Sequence, residues 1–154
     1  MTQNGLYIIK DEYFKRFPNS HWVDNKNEKR PFFFAIKDLN GLLWMIPISS
    51  QVDNIKAKIA REEAKRGKGN CIYYHIGQVA GRERGFNIGN MFPITEDYIL
   101  RSWTIGGQPY IVHETNMVEA ITRKALKFLN LVDSGTIRPQ VDIMAIMRIL
   151  TEDK

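Results

Sequence analysis

The sequence predicts an α+β fold: a small antiparallel sheet or partly closed barrel packed by helices. Three observations predict it. Short apolar runs separated by turn signals give five or six strands before residue 106. Two amphipathic segments then follow towards the C-terminus. Finally, 154 residues with 44% hydrophobic and 25% charged side chains are ordinary globular values, enough for one core without a disulfide or metal staple. Residues 1–154 are therefore read as a single domain.

The elements follow in order. Leu6-Tyr7-Ile8-Ile9 predicts a strand, and residues 11–17 a short helix stopped by Pro18. Residues 18–31 form a polar loop that runs into Lys29-Arg30-Pro31. The apolar runs 32–37 and 42–48 are joined by Asp38-Leu39-Asn40-Gly41, and Asn-Gly between such runs signals a hairpin. Residues 53–66 set Ile55 and Ile59 on one face and basic residues around the others, which predicts an amphipathic helix ended by Gly67 and Gly69. Cys71-Ile72-Tyr73-Tyr74-His75-Ile76 reads as a strand, and Gly81, Gly85 and Gly89 as flexible loop glycines. Residues 86–95 and 98–105 read as strands, although Thr95-Glu96-Asp97 could equally open a short helix. Gly106-Gly107-Gln108-Pro109 is a turn, and residues 115–131 and 139–150 are the two C-terminal helices.

Charge is unevenly distributed. Residues 54–84 hold eight basic residues (Lys56, Lys58, Arg61, Lys65, Arg66, Lys68, Arg82 and Arg84) against Glu62, Glu63 and Glu83. That window alone accounts for the net charge of +5. A local basic excess suits a nucleic-acid backbone, and it equally suits a solvated helix face.

Several function classes are excluded. There is no phosphate-binding Gly-x-x-x-x-Gly-Lys-Ser/Thr and no dinucleotide fingerprint. Cys71 is the sole cysteine, and His21, His75 and His113 share no metal-ligand spacing, so neither a metal nor a cofactor is expected. The start, Met1-Thr2-Gln3-Asn4-Gly5, has no leader pattern and no apolar run spans a bilayer, so a cytoplasmic protein without membrane partners is expected.

The most informative stretch is Pro47-Ile48-Ser49-Ser50-Gln51-Val52-Asp53-Asn54-Ile55-Lys56, where an apolar strand ends in two hydroxyls and enters a basic helix. Helix N-termini present unpaired N–H groups that suit a phosphate. Ser49 or Ser50 could also simply cap the helix. His21 reads as a solvated loop residue, and His75 and His113 as buried strand residues. Tyr7, Tyr73 and Tyr74 read as core or strand residues rather than base-stacking platforms.

Pro47-Ile48-Ser49-Ser50 resembles the Pro-Leu-Thr-Ser motif of the type III toxin–antitoxin endoribonucleases, the ToxN/AbiQ-like toxins. Lys29-Arg30-Pro31-Phe32, the Asn40-Gly41 hairpin, Cys71-Ile72-Tyr73-Tyr74-His75, and the segment 86–94 ending Met91-Phe92-Pro93-Ile94 fall in similar order and spacing. The wording of that last segment is most similar to the CptN branch. The resemblance implies a highly twisted antiparallel sheet of the MazF/Kid, SH3-barrel-like kind with flanking helices. It implies metal-independent, sequence-specific RNA cleavage by the ribose 2′-OH, leaving a 2′,3′-cyclic phosphate and a 5′-OH. It also implies a small repeat-encoded pseudoknot RNA as antitoxin, processed by the toxin and closed with it into a ring-like hetero-oligomer. Cellular RNA would be the substrate and DNA would not.

Carried over by residue, Ser49 and Ser50 match the family's Thr-Ser pair, and Arg30 stands where other members have a lysine. The lysine that follows the Thr-Ser pair in those members is missing, since Gln51-Val52 stand there. Lys56 is the candidate replacement and Lys58 the second. Ser50, Ser49, Lys56 and Arg30 are thus the expected catalytic set, with Lys29, Lys58, Arg61, Lys65, Arg66, Lys68, Arg82, Arg84 and Asn87 binding RNA. Two other classes compete: a non-catalytic RNA-binding module of similar small-barrel fold, and a protein–protein adaptor whose basic helix is only surface.

Overall fold

The central hairpin is set by its turn. Gly41 adopts φ 81°, open to glycine without a Cβ clash, and Asp38 Oδ1 accepts from the N–H groups of Asn40 and Leu42. The computed structural model describes residues 1–153. In chain order its elements begin β1 (Leu6–Ile9), α1 (Asp11–Arg16), β2 (Pro31–Lys37), β3 (Leu43–Ser49) and α2 (Val52–Arg66). There follow β4 (Tyr74–Val79), β5 (Arg82–Asn87), β6 (Phe92–Ile94) and β7 (Ile99–Ser102). Last come β8 (Thr104–Ile105), β9 (Gln108–Pro109), α3 (Thr115–Asp133) and α4 (Ile143–Glu152).

The sheet is antiparallel, of seven strands, in the order β4-β5-β3-β2-β1-β7, with β6 beside the first half of β3. It stays open, with β4 and β7 as its edges. Of the two forms the sequence allowed, the open sheet is the one adopted, packed by helices, two of them C-terminal. Strand β3 serves two partners in succession: Leu43–Met45 pair with β6, and Ile48 and Ser49 with β5. Pro47, which has no N–H to give, stands between them, where a 3-10 turn (Ile88–Asn90) takes the partner chain out of the ladder. The predicted single strand over 86–95 is therefore two strands and a turn. Glu96–Tyr98 is likewise a 3-10 turn, the helical alternative foreseen there.

Of the three glycines read as loop residues, Gly81 is in a turn, whereas Gly85 lies within a strand and Gly89 in the 3-10 turn Ile88–Asn90. Residues 74–87 make a hairpin turning at Ala80 and Gly81, with φ 54° and 79°. Gly77 and Gly85 lie inside its strands, on opposite faces. A Cβ at Gly85 would stand 2.2 Å from the Ile55 side chain of α2, and one at Gly77 would stand 2.0 Å from Met117 Sδ of α3. The two glycines let α2 and α3 close down on the two faces of one hairpin. The strand predicted from Cys71 begins only at Tyr74.

Helix α3 buries Met117, Ile121, Ala125 and Phe128 along one stripe, as its spacing predicted, and Val132 one turn further, past the expected end of the helix. Helix α4 starts at Ile143, later than the expected residue 139, because Asp142 Oδ1 caps it by accepting from Ala145 N–H at 3.1 Å. Under α1, Tyr13 and Phe92 stack at 5.2 Å, joined by Phe14, Phe17, Trp22 and Phe32. The buried Tyr13 hydroxyl donates to Pro93 C=O at 2.9 Å, and this cluster fixes α1 against the sheet. No helix among the described residues is long and apolar enough to cross a membrane.

Candidate nucleic-acid interface

The end of β3 brings three of the expected site residues together. Arg30, just before β2, donates from a terminal guanidinium nitrogen to Ile48 C=O at 2.9 Å, next to Ser49 and Ser50. Its Nε donates to Asp24 C=O at 2.5 Å. Two of its five N–H donors are thus fixed and three remain. Burial lowers the Arg30 pKa, with nearby Asp24 opposing. Ser49 Oγ accepts from Gln51 N–H at 3.1 Å. The exposed Ser50 hydroxyl has no partner among the described residues.

Neither serine caps α2. Gln51 holds the cap position and makes no side-chain cap bond. In the first turn of α2, Val52 N–H donates to Ser50 C=O at 2.9 Å and Ile55 N–H to Gln51 C=O at 3.1 Å, which leaves the N–H groups of Asp53 and Asn54 without an acceptor among the described residues. Asp53 lies in that same turn, and its carboxylate offsets part of the positive helix end. Lys56 is turned away: its Nζ lies 2.9 Å from Glu83 Oε1 on β5, in an ion pair exposed on both sides.

Further along α2 a second feature opens, a cleft of about 350 Å³. Lys58, Arg61 and Lys65 form one wall, Tyr73, Tyr74, Asn87 and Asn90 the floor, and Arg138, Pro139 and Gln140 the other wall. Lys58 Nζ sits 5.5 Å above the Tyr74 ring, and Tyr73 packs edge-on against Phe128. Among the described residues, the side chains of Arg61, Lys65, Asn87, Asn90, Arg138 and Gln140 have no polar partner. Glu62 is the cleft's carboxylate, already bridged to Arg66 at 3.2 Å.

The basic window is therefore not one patch. Ile55 against Gly85 sets Glu83, Gly85 and Asn87 towards α2, and strand alternation turns Arg82 and Arg84 to the other face. Arg66 and Lys68 are exposed at the far end of α2 and beyond it, outside the cleft, and Lys29 is exposed beside Arg30. Tyr73 and Tyr74 are half-buried in the cleft floor, Tyr74 as the first residue of β4 and Tyr73 just before it. Tyr7 is a core residue whose hydroxyl donates to Thr2 C=O. His113 is exposed and lies outside any strand, which corrects the expectation of a buried one. His21 is exposed in its loop. His75 is half-buried on the α3 face, its Nδ1 accepting from Lys124 Nζ at 3.1 Å. Burial first, then Lys124 and Arg123, lower its pKa to about 4.

Sequence reasoning missed Arg138, Asn90 and Gln140. They come from two segments far apart in the chain, and no local motif marks them. No cluster of three or more His, Cys, Asp or Glu placed to hold a metal occurs among the described residues.

No family model matches the chain, and no curated protein is similar to it in sequence. The open antiparallel sheet with α2 and α3 on its terminal hairpin defines a fold class that a solved structure shares. That structure is described as a processed non-coding RNA regulating a bacterial antiviral system. The match covers 97% of this chain and 98% of that one, with a TM-score of 0.62 and 16% identity. The neighbour is a ToxN chain, so the fold here is ToxN-like, as the sequence resemblance led us to expect.

Proposed function

We propose that this chain is a cytoplasmic endoribonuclease toxin of a type III toxin–antitoxin system. It cleaves RNA without a metal and is restrained by a small pseudoknot RNA that it processes. What carries the reading is the junction: an uncommitted Ser50 hydroxyl and an Arg30 guanidinium with three free donors, at an open helix N-terminus on a ToxN-like fold.

The scissile phosphate would lie over the first turn of α2. The 2′-OH gives its proton to solvent and attacks phosphorus, the bond to the 5′-oxygen breaks as the 2′,3′-cyclic phosphate forms, and the 5′-oxygen takes a proton from water as it leaves. Ser50 and the N–H groups of Asp53 and Asn54 hold a non-bridging oxygen, and Arg30 neutralises the charge that develops on the phosphorane. Lys56 joins only by leaving Glu83. An exposed ion pair is worth about 0–1 kcal/mol, so a phosphate can displace that carboxylate at little cost. The cleft, with Lys58, Arg61, Lys65 and Asn87 joined by Arg138, grips the RNA away from the reacting bond.

The test is chemical. Purified protein should cut RNA in the presence of EDTA and leave 2′,3′-cyclic phosphate ends. Loss of cleavage on chelation, with recovery on adding magnesium, contradicts the mechanism. The second reading, an RNA-binding module without catalysis, is favoured by one observation: four cations without an ion pair among the described residues, Lys58, Arg61, Lys65 and Arg138, gather in the cleft. Tight RNA binding with no cleavage of any RNA would select it.

A further inference from the structure

The loop before Arg30 contains an unusual backbone. Lys26, Asn27 and Glu28 have φ of 51°, 57° and 62°, three consecutive non-glycine residues in the left-handed region. L-residues resist that conformation because Cβ crowds the following carbonyl, so it persists only where the surroundings hold it.

Two arms hold it, both anchored at the corner between β1 and α1. Asn25 is only 8% exposed, and its Nδ2 donates to Ile9 C=O at 2.8 Å and to Asp11 Oδ1 at 2.9 Å. Glu28 Oε2 accepts from Asp11 N–H at 2.8 Å. Asn25 C=O then closes the turn by accepting from Lys29 N–H at 3.1 Å and Arg30 N–H at 3.3 Å. The next carbonyl upstream, Asp24, receives Arg30 Nε, and the residue after Arg30 is Pro31, whose ring fixes φ at the start of β2. Arg30 is therefore held at its backbone and its guanidinium by the same short loop. One of its terminal nitrogens reaches Ile48 C=O at the end of β3.

We propose that Asn25 is a positioning residue: through the left-handed turn it anchors, it fixes the Arg30 guanidinium beside the Ser49–Ser50 junction. The proposal rests on the reading of that junction as the cleavage site. A loop that served only to cover the aromatic cluster under α1 would not need Arg30 tied into it twice.

Two readouts test it, one independent of catalysis. In 15N-labelled protein the Arg30 Nε–H should exchange slowly with solvent, and Asn25→Ala should make it exchange fast while circular dichroism stays unchanged. In steady-state cleavage, Asn25→Ala should lower kcat by about tenfold with KM unchanged, the expected result of misplacing a catalytic group. Asn25→Ala added to Arg30→Ala should then cost nothing further. If Asn25→Ala fails to fold, Glu28→Ala removes the second arm and is read in the same two ways. Slow Nε–H exchange surviving the anchor substitutions overturns the proposal, as do Asn25→Ala and Arg30→Ala effects that multiply. A wild-type protein that cuts no RNA removes the cleavage reading, and the exchange measurement still decides whether Asn25 holds Arg30.

Discussion

The junction at the end of β3 and the cleft beside α2 sit on neighbouring parts of one sheet, yet their polar groups are committed differently. At the junction, Arg30 and Ser49 are bonded to fixed backbone atoms and Ser50 stands open. In the cleft, the cations and amides have no polar partner, except that Glu62 is bridged to Arg66 and Lys58 lies over Tyr74. The contrast follows from what each place is proposed to do. Charge developing in a transition state is stabilised best by donors already held in place. A flexible polyanion is bound best by mobile cations that exchange counterions for phosphates. Order suits chemistry, and slack suits grip.

The largest effect expected is at Ser50. Ser50→Ala should depress cleavage by about a hundredfold, the loss seen when an oxyanion donor is removed. It should leave stability within about 0.5 kcal/mol, because the side chain caps nothing. A destabilised Ser50→Ala protein would mean that the hydroxyl is structural after all. Next comes the cleft. Replacing Lys58, Arg61 and Lys65 by glutamine should weaken RNA binding and flatten its salt dependence by on the order of 2 log units, about 0.7 for each single-strand phosphate no longer neutralised. A salt slope equal to wild type would place the RNA elsewhere.

The smallest effect lies on the opposite face of the hairpin and serves as a control. His75 has its pKa lowered from 6.5 to about 4, so the unfolded chain binds its proton first. Its contribution is fully present above pH 6.5 and is lost as pH falls through the window from 6.5 to 4. The ring is partly exposed, so about 1–2 kcal/mol is at stake after solvent screening. Denaturant melts of wild type and His75→Gln should differ in pH dependence across that window. Identical curves would show that burial beside Lys124 does not hold the imidazole neutral.

How much of this was legible in the sequence varies with how local the cause is. Asn40-Gly41 and the apolar spacing of α3 act within a few residues, and both were readable. Gly85 resembled a loop glycine because the reason for it, Ile55 of α2, is remote in the chain, as Met117 of α3 is from Gly77. Ser49 and Ser50 were visible as a pair, but the choice between capping and an open site depended on Gln51 taking the cap position. Arg30 was placed by a short motif, whereas Asn25 and its left-handed turn leave no pattern in composition or spacing. The cleft was half legible: the basic helix was plain, and the Arg138 wall appears only because Asp142 starts α4 late and leaves 137–140 as a loop.

One measurement tests the division of labour most directly: RNA affinity and single-turnover cleavage at saturating protein, on Ser50→Ala and on the Lys58, Arg61 and Lys65 triple variant side by side. The account predicts a crossed result. Ser50→Ala should bind RNA as wild type does and cleave about a hundredfold more slowly. The triple variant should bind weakly, yet cleave at close to the wild-type rate once saturated. Proportional losses of affinity and rate in both variants would contradict the account, for they would make junction and cleft a single binding surface.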